Sequence, residues 1–432
     1  MGIRLVHASW PILALFIVGS SPAPAVEPSA AAEPAGDLTL ASALEVVLSR
    51  SPRLVALERE TEARVAESEQ AGARPNPELT TELENVLGSG PFASLESAEA
   101  TIALSQALEL AGKRGKRREA AAAGTRLAQS DYEIERTMLA AEATRRFVGV
   151  LSAQERVVLA EELVAIFDST LADVSRRVDA GGASPVERSR ARVELETSRI
   201  DLDQRRRALV AERRGLAAMW GSSSAQFARA VGDLELVAPP PEWSAVLPRI
   251  PDSPALRRRR AELEQRQATL ALERARGVPD LTVGAGARWL EESGDGAFLF
   301  GLGMPLPVFD RNRAGARAAE SRIAQAEAEG SATAIAMEAA IADAYQELAA
   351  SHAEATALRD GILPEAERTF TAARDAFRQG LLRLTDVLDT ERTLFELRGR
   401  QVDALARYHA AVADMEALLG TPLAAPTTGD ER

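Results

Sequence analysis

The chain has 432 residues, a formal net charge of −13, no cysteine and only 4% aromatic residues. The acidic balance argues against nucleic acid, because no basic surplus is left to neutralise phosphates, and without cysteine there is neither a disulfide nor a lipid-bearing thiol. Alanine, arginine, glutamate and leucine dominate the middle of the chain, a composition of long helices packed through small side chains rather than around a thick aromatic core.

In chain order, the first feature is a targeting segment. Arg4 supplies a short positive start, Pro11 to Val18 is mostly apolar, and Ala23-Pro24-Ala25 fits a small-residue cleavage site. Residues 1–25 are therefore expected to be an export signal cut after Ala25, with 26–37 a linker. The apolar run is too short for a membrane span, and no later stretch approaches 18 apolar residues, so an α-helical inner-membrane protein is excluded.

From Leu38 onward the chain is one pattern written twice. Ser51-Pro52 opens a helical stretch that ends near Pro77-Glu78-Leu79-Thr80; about 202 residues later Ser253-Pro254 opens another, ending at Pro279-Asp280-Leu281-Thr282. Val178-Asp179-Ala180-Gly181 matches Phe377-Arg378-Gln379-Gly380, and Met219-Trp220-Gly221 matches Leu418-Leu419-Gly420, at about 199. The expected organisation is a first repeat over 38–221, a proline-rich connection over 222–252, a second repeat over 253–420 and a tail over 421–432. Each repeat reads helix, two strands, a very long helix, a glycine turn and a return helix. In the first these are Leu40–Gly72, Glu78–Val86, Glu99–Leu108, Ala111–Ala180 and Pro185–Trp220. In the second they are Pro254–Arg276, Leu281–Leu290, Ala297–Leu306, Arg313–Gln379 and Leu384–Leu419. At 1.5 Å per residue the long helix of the first copy spans about 105 Å, too long for a compact domain, and the two shorter helices can lie end to end beside it. Gly181 and Gly380 are placed to cap the long helices, and Pro185 suits the first turn of its helix. The basic cluster of Lys113, Arg114, Lys116, Arg117 and Arg118 reads as a solvated helix start.

The four short segments alternate with period two. Leu79, Thr81 and Leu83 oppose Thr80, Glu82 and Glu84; Ile102 and Leu104 oppose Thr101, Ala103 and Ser105. Leu281, Val283, Ala285, Ala287 and Trp289 oppose Thr282, Gly284, Gly286 and Arg288; Phe298, Phe300, Leu302 and Met304 oppose Leu299, Gly301 and Gly303. Strands of nine or ten residues cross a bilayer when tilted, and a spanning strand must satisfy its backbone in a closed barrel. Four strands cannot close one, so subunits are expected to pool them. Gly284-Ala285-Gly286 reads as room for close strand packing.

Arg74-Pro75-Asn76-Pro77-Glu78-Leu79, followed by Glu84-Asn85, and the exit Met304-Pro305-Leu306-Pro307-Val308-Phe309-Asp310-Arg311-Asn312 give the chain a resemblance to the TolC family of outer-membrane efflux channels, over roughly Leu38 to Gly420. These motifs look most like the CzcC-like branch of heavy-metal cation efflux. The resemblance implies a mainly α fold with a small β part: long antiparallel coiled-coil helices forming an α-barrel, plus four transmembrane β-strands per subunit. It implies a homotrimer with a twelve-stranded β-barrel in outer-membrane lipid and most of its mass in the periplasm. Its partners would be a periplasmic adaptor (membrane fusion) protein and an inner-membrane pump of the resistance-nodulation-division type.

It also implies a periplasmic gate at the turns after Gly181 and Gly380. Leu384-Thr385-Asp386-Val387-Leu388-Asp389 resembles the family's acidic constriction, and i, i+3 spacing puts Asp386 and Asp389 on one helix face; Glu187 stands at the corresponding place in the first copy. Rings of such carboxylates favour cations. The basic residue often found after the second glycine is replaced by Leu382, with Arg383 next to it, so a closing salt bridge is not assumed. The bland alternative pairs Arg383 with Asp386 and Asp389 with Arg392 on a solvated face. His352 and His409 lie far apart in sequence and no cysteine is present, so no metal-ligand cluster is expected. No phosphate loop or serine elbow is present, hence no cofactor and no enzyme. The remaining alternatives are a duct for drugs or for type I protein secretion, and a periplasmic coiled-coil scaffold without a pore.

Overall fold

The computed structural model describes residues 33–423. The expected export signal, most of the linker and most of the tail lie outside the described residues. The chain begins with β1 (Gly36–Thr39), α1 (Leu40–Arg50) and α2 (Pro52–Ala71), then β2 (Glu78–Glu84), β3 (Glu99–Leu108), α3 (Lys113–Asp179) and α4 (Pro185–Ala218). It continues with β4 (Phe227–Val231), the short α5 (Trp243–Val246), α6 (Pro254–Arg276), β5 (Leu281–Leu290), β6 (Asp295–Gly303), α7 (Arg313–Ala357), α8 (Leu363–Arg378) and α9 (Leu384–Leu419). The first helical stretch is thus two helices. Ser51 breaks it with an extended ψ of 121°, the conformation that Pro52 imposes on its predecessor.

At 67 residues, α3 is about 100 Å long. α2 and α4 both pack along it, and α7 with α8 takes the same place beside α6 and α9. Its second-copy counterpart is not a plain α-helix: residues Leu358–Ile362 form a π turn between α7 and α8. Pro364 has no N–H to give Asp360, and its ring crowds that carbonyl; widening the turn relieves the clash.

β2, β3, β5 and β6 form one antiparallel sheet in that order. Its register sets Leu79, Leu104, Ala285 and Phe300 in one row and Thr81, Ile102, Ala287 and Phe298 in the next. Opposed residues of antiparallel strands share a face, so this face is apolar, with Phe298 and Phe300 84% and 85% exposed. The other face carries Glu78, Glu82, Glu84, Glu99, Thr101, Arg288 and Asp295. There Arg288 binds Glu99 at 2.7 Å, Glu84 at 2.8 Å and the Thr101 hydroxyl at 2.9 Å. The period-two reading of the strands holds, although β6 starts and stops earlier than expected. Gly286 lies where a Cβ would meet the Ile102 carbonyl at 2.6 Å, so the close packing expected at Gly284-Ala285-Gly286 is present.

Two features differ from expectation. The proline-rich connection carries a strand the sequence reading did not assign: β4 pairs in parallel with β1, and Gln154 of α3 clamps Ala230 by both its N–H (2.8 Å) and its C=O (2.9 Å). Nor is the basic cluster solvated throughout, although Arg114 and Arg118 are exposed. Arg114 and Arg117 donate to the carbonyls of Gly72, Ala71 and Ala73 at the end of α2, and Arg117 also binds Glu109. Lys113, itself buried, reaches Asp280 at 2.8 Å. Cationic donors at a helix C-terminus satisfy its free carbonyls and its dipole, so the cluster ties the base of the sheet to the helices. Burial alone would raise the Asp280 carboxyl, but the Lys113 ammonium, the Leu110 N–H and Arg117 together hold it below the usual range.

Candidate functional site

Both long helices end in the same turn. Gly181 (φ 74°) donates to Val178 C=O and Gly182 to Arg177 C=O; Gly380 (φ 79°) donates to Phe377 C=O and Leu381 to Ala376 C=O. This 5→2 and 6→1 bonding needs a left-handed residue, which glycine adopts without strain. Ser184 then caps α4 by accepting from the Val186 N–H, with Pro185 in its first turn. Arg383 precedes α9, and its backbone N–H donates to Asp386 Oδ2 at 3.3 Å.

The two turns sit together at the end of the helices. Val174, Ala191, Phe370, Phe377, Leu384, Val387 and Leu394 form one apolar core shared by α3, α4, α8 and α9. Arg177 locks it from the edge, its guanidinium 4.7 Å from the Phe377 ring centroid and donating to the Phe377 carbonyl at 3.1 Å. Arg188 pairs with Asp179 at 2.9 Å across the first turn.

Against this core Asp386 and Asp389 are exposed, while Leu384 and Val387 point inward; Glu187 is half-buried on α4. Among the described residues neither Asp386–Arg383 nor Asp389–Arg392 is an ion pair. Asp386 instead serves the helix start, where a carboxylate complements the free N–H groups, and Thr385 Oγ1 lies 3.4 Å from it.

Sequence reasoning missed Glu391, a wholly buried acid one turn further along α9. The signal was available: Leu384, Val387 and Leu394 mark a helical apolar stripe, and Glu391 occupies a slot on it. The two described histidines, remote in sequence, flank one residue, with ring centroids at 5.9 Å (His352) and 5.2 Å (His409) from Tyr408. His409 Nε2 bonds the Leu234 carbonyl at 2.9 Å. No group of three or more histidines, cysteines or acids able to hold a metal occurs among the described residues. No described helix is long and apolar enough to cross a membrane.

A sheet with one exposed apolar face, carried on helices of which the longest is about 100 Å and ending in paired glycine turns, defines a class of protein: an outer-membrane channel subunit with a long helical stem. The chain belongs to the outer membrane efflux protein family, whose model matches residues 43–222 and 250–421. It is 34% identical over 388 residues to the cobalt-zinc-cadmium resistance protein CzcC of Cupriavidus metallidurans, covering 90% of this chain and 91% of that one. It is 35% identical over 288 residues to the nickel and cobalt resistance protein CnrC of the same organism, covering 66% and 67%. Among solved structures, a membrane protein from Pseudomonas aeruginosa superposes with a TM-score of 0.74 at 21% identity, covering 89% and 90% of the two chains. The resemblance to the CzcC-like branch therefore holds, and the chain is an outer-membrane efflux protein, not an enzyme.

Proposed function

We propose that three copies of this chain form the exit duct of a three-component export system for heavy-metal cations. The observation that carries this reading is the sheet. Its exposed face is apolar from edge to edge, its opposite face is acidic, and its outer strands β2 and β6 run antiparallel to each other. Such edges can pair between copies with alternating strand direction, and closure in lipid requires that they do. Pooling three sheets gives a twelve-stranded barrel, apolar outward and acidic inward, continued by the helices as a periplasmic tunnel. In this reading residues 1–25 are the export signal, 38–221 and 253–420 are tandem copies, and 222–252 joins them.

At the periplasmic tip, Asp386 and Asp389, with Glu187, would ring the opening in triplicate beside Gly181 and Gly380. Carboxylates within about 8 Å of a permeating ion are poorly screened at physiological salt, so the opening selects cations. A periplasmic adaptor and an inner-membrane pump of the resistance-nodulation-division type would deliver the cargo. The resistance named for CzcC and CnrC, to cobalt, zinc, cadmium and nickel, supports a divalent metal cation as that cargo.

The test is a planar-bilayer recording of purified trimer. Wild type is expected to be cation-selective and blocked by divalent ions. Asp386→Asn with Asp389→Asn should weaken both at unchanged trimer content, since exposed helix charges are worth only about 0 to 1 kcal/mol to stability. A homogeneous trimer without discrete conductance would overturn the duct, and unchanged selectivity would remove these aspartates from the gate.

A further inference from the structure

About three turns past Gly380, α9 carries an acid in an apolar slot. Glu391 shares the helix face of Val387 and Leu394 and has no solvent exposure. Neither of its carboxylate oxygens has a hydrogen-bond partner among the described residues. A buried ionised carboxylate without partners is strongly disfavoured, so the group neutralises instead. The charges acting on it come from two helices: the Glu194 carboxylate of α4 and the Arg374 guanidinium of α8. Arg374 does not ion-pair with it. Its guanidinium lies over the Phe370 ring, 5.6 Å from the centroid, and its Nε is likewise buried and unpartnered. Val174 of α3 and Ala191 of α4 complete the apolar packing, and the charged group that α3 brings to this core is Arg177, at its edge over the Phe377 ring. An open groove lined by Glu194, Leu388, Arg392 and Phe395 brings water to the edge of this packing.

We infer that Glu391 is a proton-controlled latch: neutral, it lets α9 pack against α3 and α8 with α4 across the groove, and loss of its proton to the groove releases the α8–α9 hairpin from the α3–α4 hairpin. The latch concerns how the two hairpins hold together and stands whether or not Asp386 and Asp389 line a pore. Burial, reinforced by the Glu194 charge and only partly opposed by Arg374, raises the Glu391 carboxyl to about 8. Once released into water the same group titrates near 4.5. Between these values the packed form holds a proton that the released form gives up, so each rise of one pH unit favours release by up to about tenfold. Above about pH 8 both forms are ionised and the effect levels off.

The experiment is hydrogen–deuterium exchange of the full-length protein, wild type against Glu391→Gln, from about pH 5 to about pH 9. Taking the ratio of the two proteins at each pH cancels the intrinsic pH dependence of amide exchange. Over residues 366–394 the ratio should be smallest near pH 5, rise by tenfold or more by about pH 8 and then flatten; over β2, β3, β5 and β6 it should stay constant. A ratio that does not change with pH over the tip overturns the latch, and neither outcome depends on conduction. If Glu391→Gln does not fold, Glu194→Gln serves as the comparison. It leaves Glu391 in place but removes the like charge, so the rise should be smaller and should flatten at lower pH; an unchanged profile overturns the inference.

Discussion

Replacing Gly286 with alanine should cost the sheet more than a methyl at any other glycine of β5 or β6. Gly286 faces Ala103 across the β3–β5 pair, where directly opposed Cβ atoms normally stand about 4.5–5.5 Å apart. Here an added Cβ would lie 2.9 Å from the Ala103 Cβ and 2.6 Å from the Ile102 carbonyl oxygen. Both obstacles are backbone or bonded directly to it, so no side-chain rotation clears them and the strands must part. Overpacking of this kind costs about 1–3 kcal/mol per site, hence roughly 3–9 kcal/mol in an assembly of three chains. Gly301 lies on the same face of the sheet, and a Cβ there meets nothing within 4 Å. The assay is heat-induced dissociation of the proposed trimer in detergent, followed by electrophoresis and by loss of β-structure. Gly286→Ala should dissociate at a clearly lower temperature than wild type, while Gly301→Ala stays within a degree or two. Equal midpoints for the two variants would refute the claim that β3 and β5 approach this closely.

Phe377→Ala empties the centre of the tip core and removes the Arg177 stacking partner; a loss of about 3–5 kcal/mol is expected, read by denaturant unfolding of the helical signal. Asp280→Asn should destabilise at neutral pH. Because the Asp280 carboxyl is held below its ordinary value of 3.8, its contribution is present above that pH and fades as pH falls through the lower folded value. The gap between wild type and variant should therefore close in strong acid, measured as unfolding midpoints against pH. Tyr408→Phe removes a hydroxyl that donates to the Ala238 carbonyl and accepts from the Ala238 N–H, each at 2.9 Å, so about 1–3 kcal/mol should be lost through the orphaned groups, again seen in denaturant midpoints. Proline at Ala141, buried within α3, should cost about 3 kcal/mol or more and depress trimer yield, whereas proline at Ser94 in the exposed first hairpin loop should not.

The parts legible in sequence were those whose physics is local. Alternation from Leu79 to Leu83 and from Phe298 to Leu302 reports two faces directly, because side chains of a strand point to opposite sides in turn. Gly181 and Gly380 announce the tip because only a residue free to adopt positive φ ends a helix in that manner. What escaped depends on partners distant in the chain. β1 and β4 have four and five residues, too few to show a period, and they pair across nearly the whole first copy. Lys113 looks solvated until Asp280 is brought to it, and His352 and His409 look unrelated until Tyr408 stands between them. Glu391 was readable as a break in the apolar stripe of α9, but its weight comes from Glu194 and Arg374 on other helices.

The π turn at Leu358–Ile362 makes the two long staves mechanically unequal. α3 is an elastic rod with its hydrogen-bond ladder intact over 67 residues, so a bending moment applied at its tip is shared along its whole length. Its counterpart contains a joint: five residues of wider winding followed by Pro364, where the ladder is interrupted and rotation meets least resistance. A force on the α8–α9 end is therefore taken up at that joint, which lies level with the girdle: Leu358 packs into the same core as Leu38 of β1 and Phe227 and Ala230 of β4. Bending is thus concentrated at a point that the 45 residues of α7 separate from the sheet.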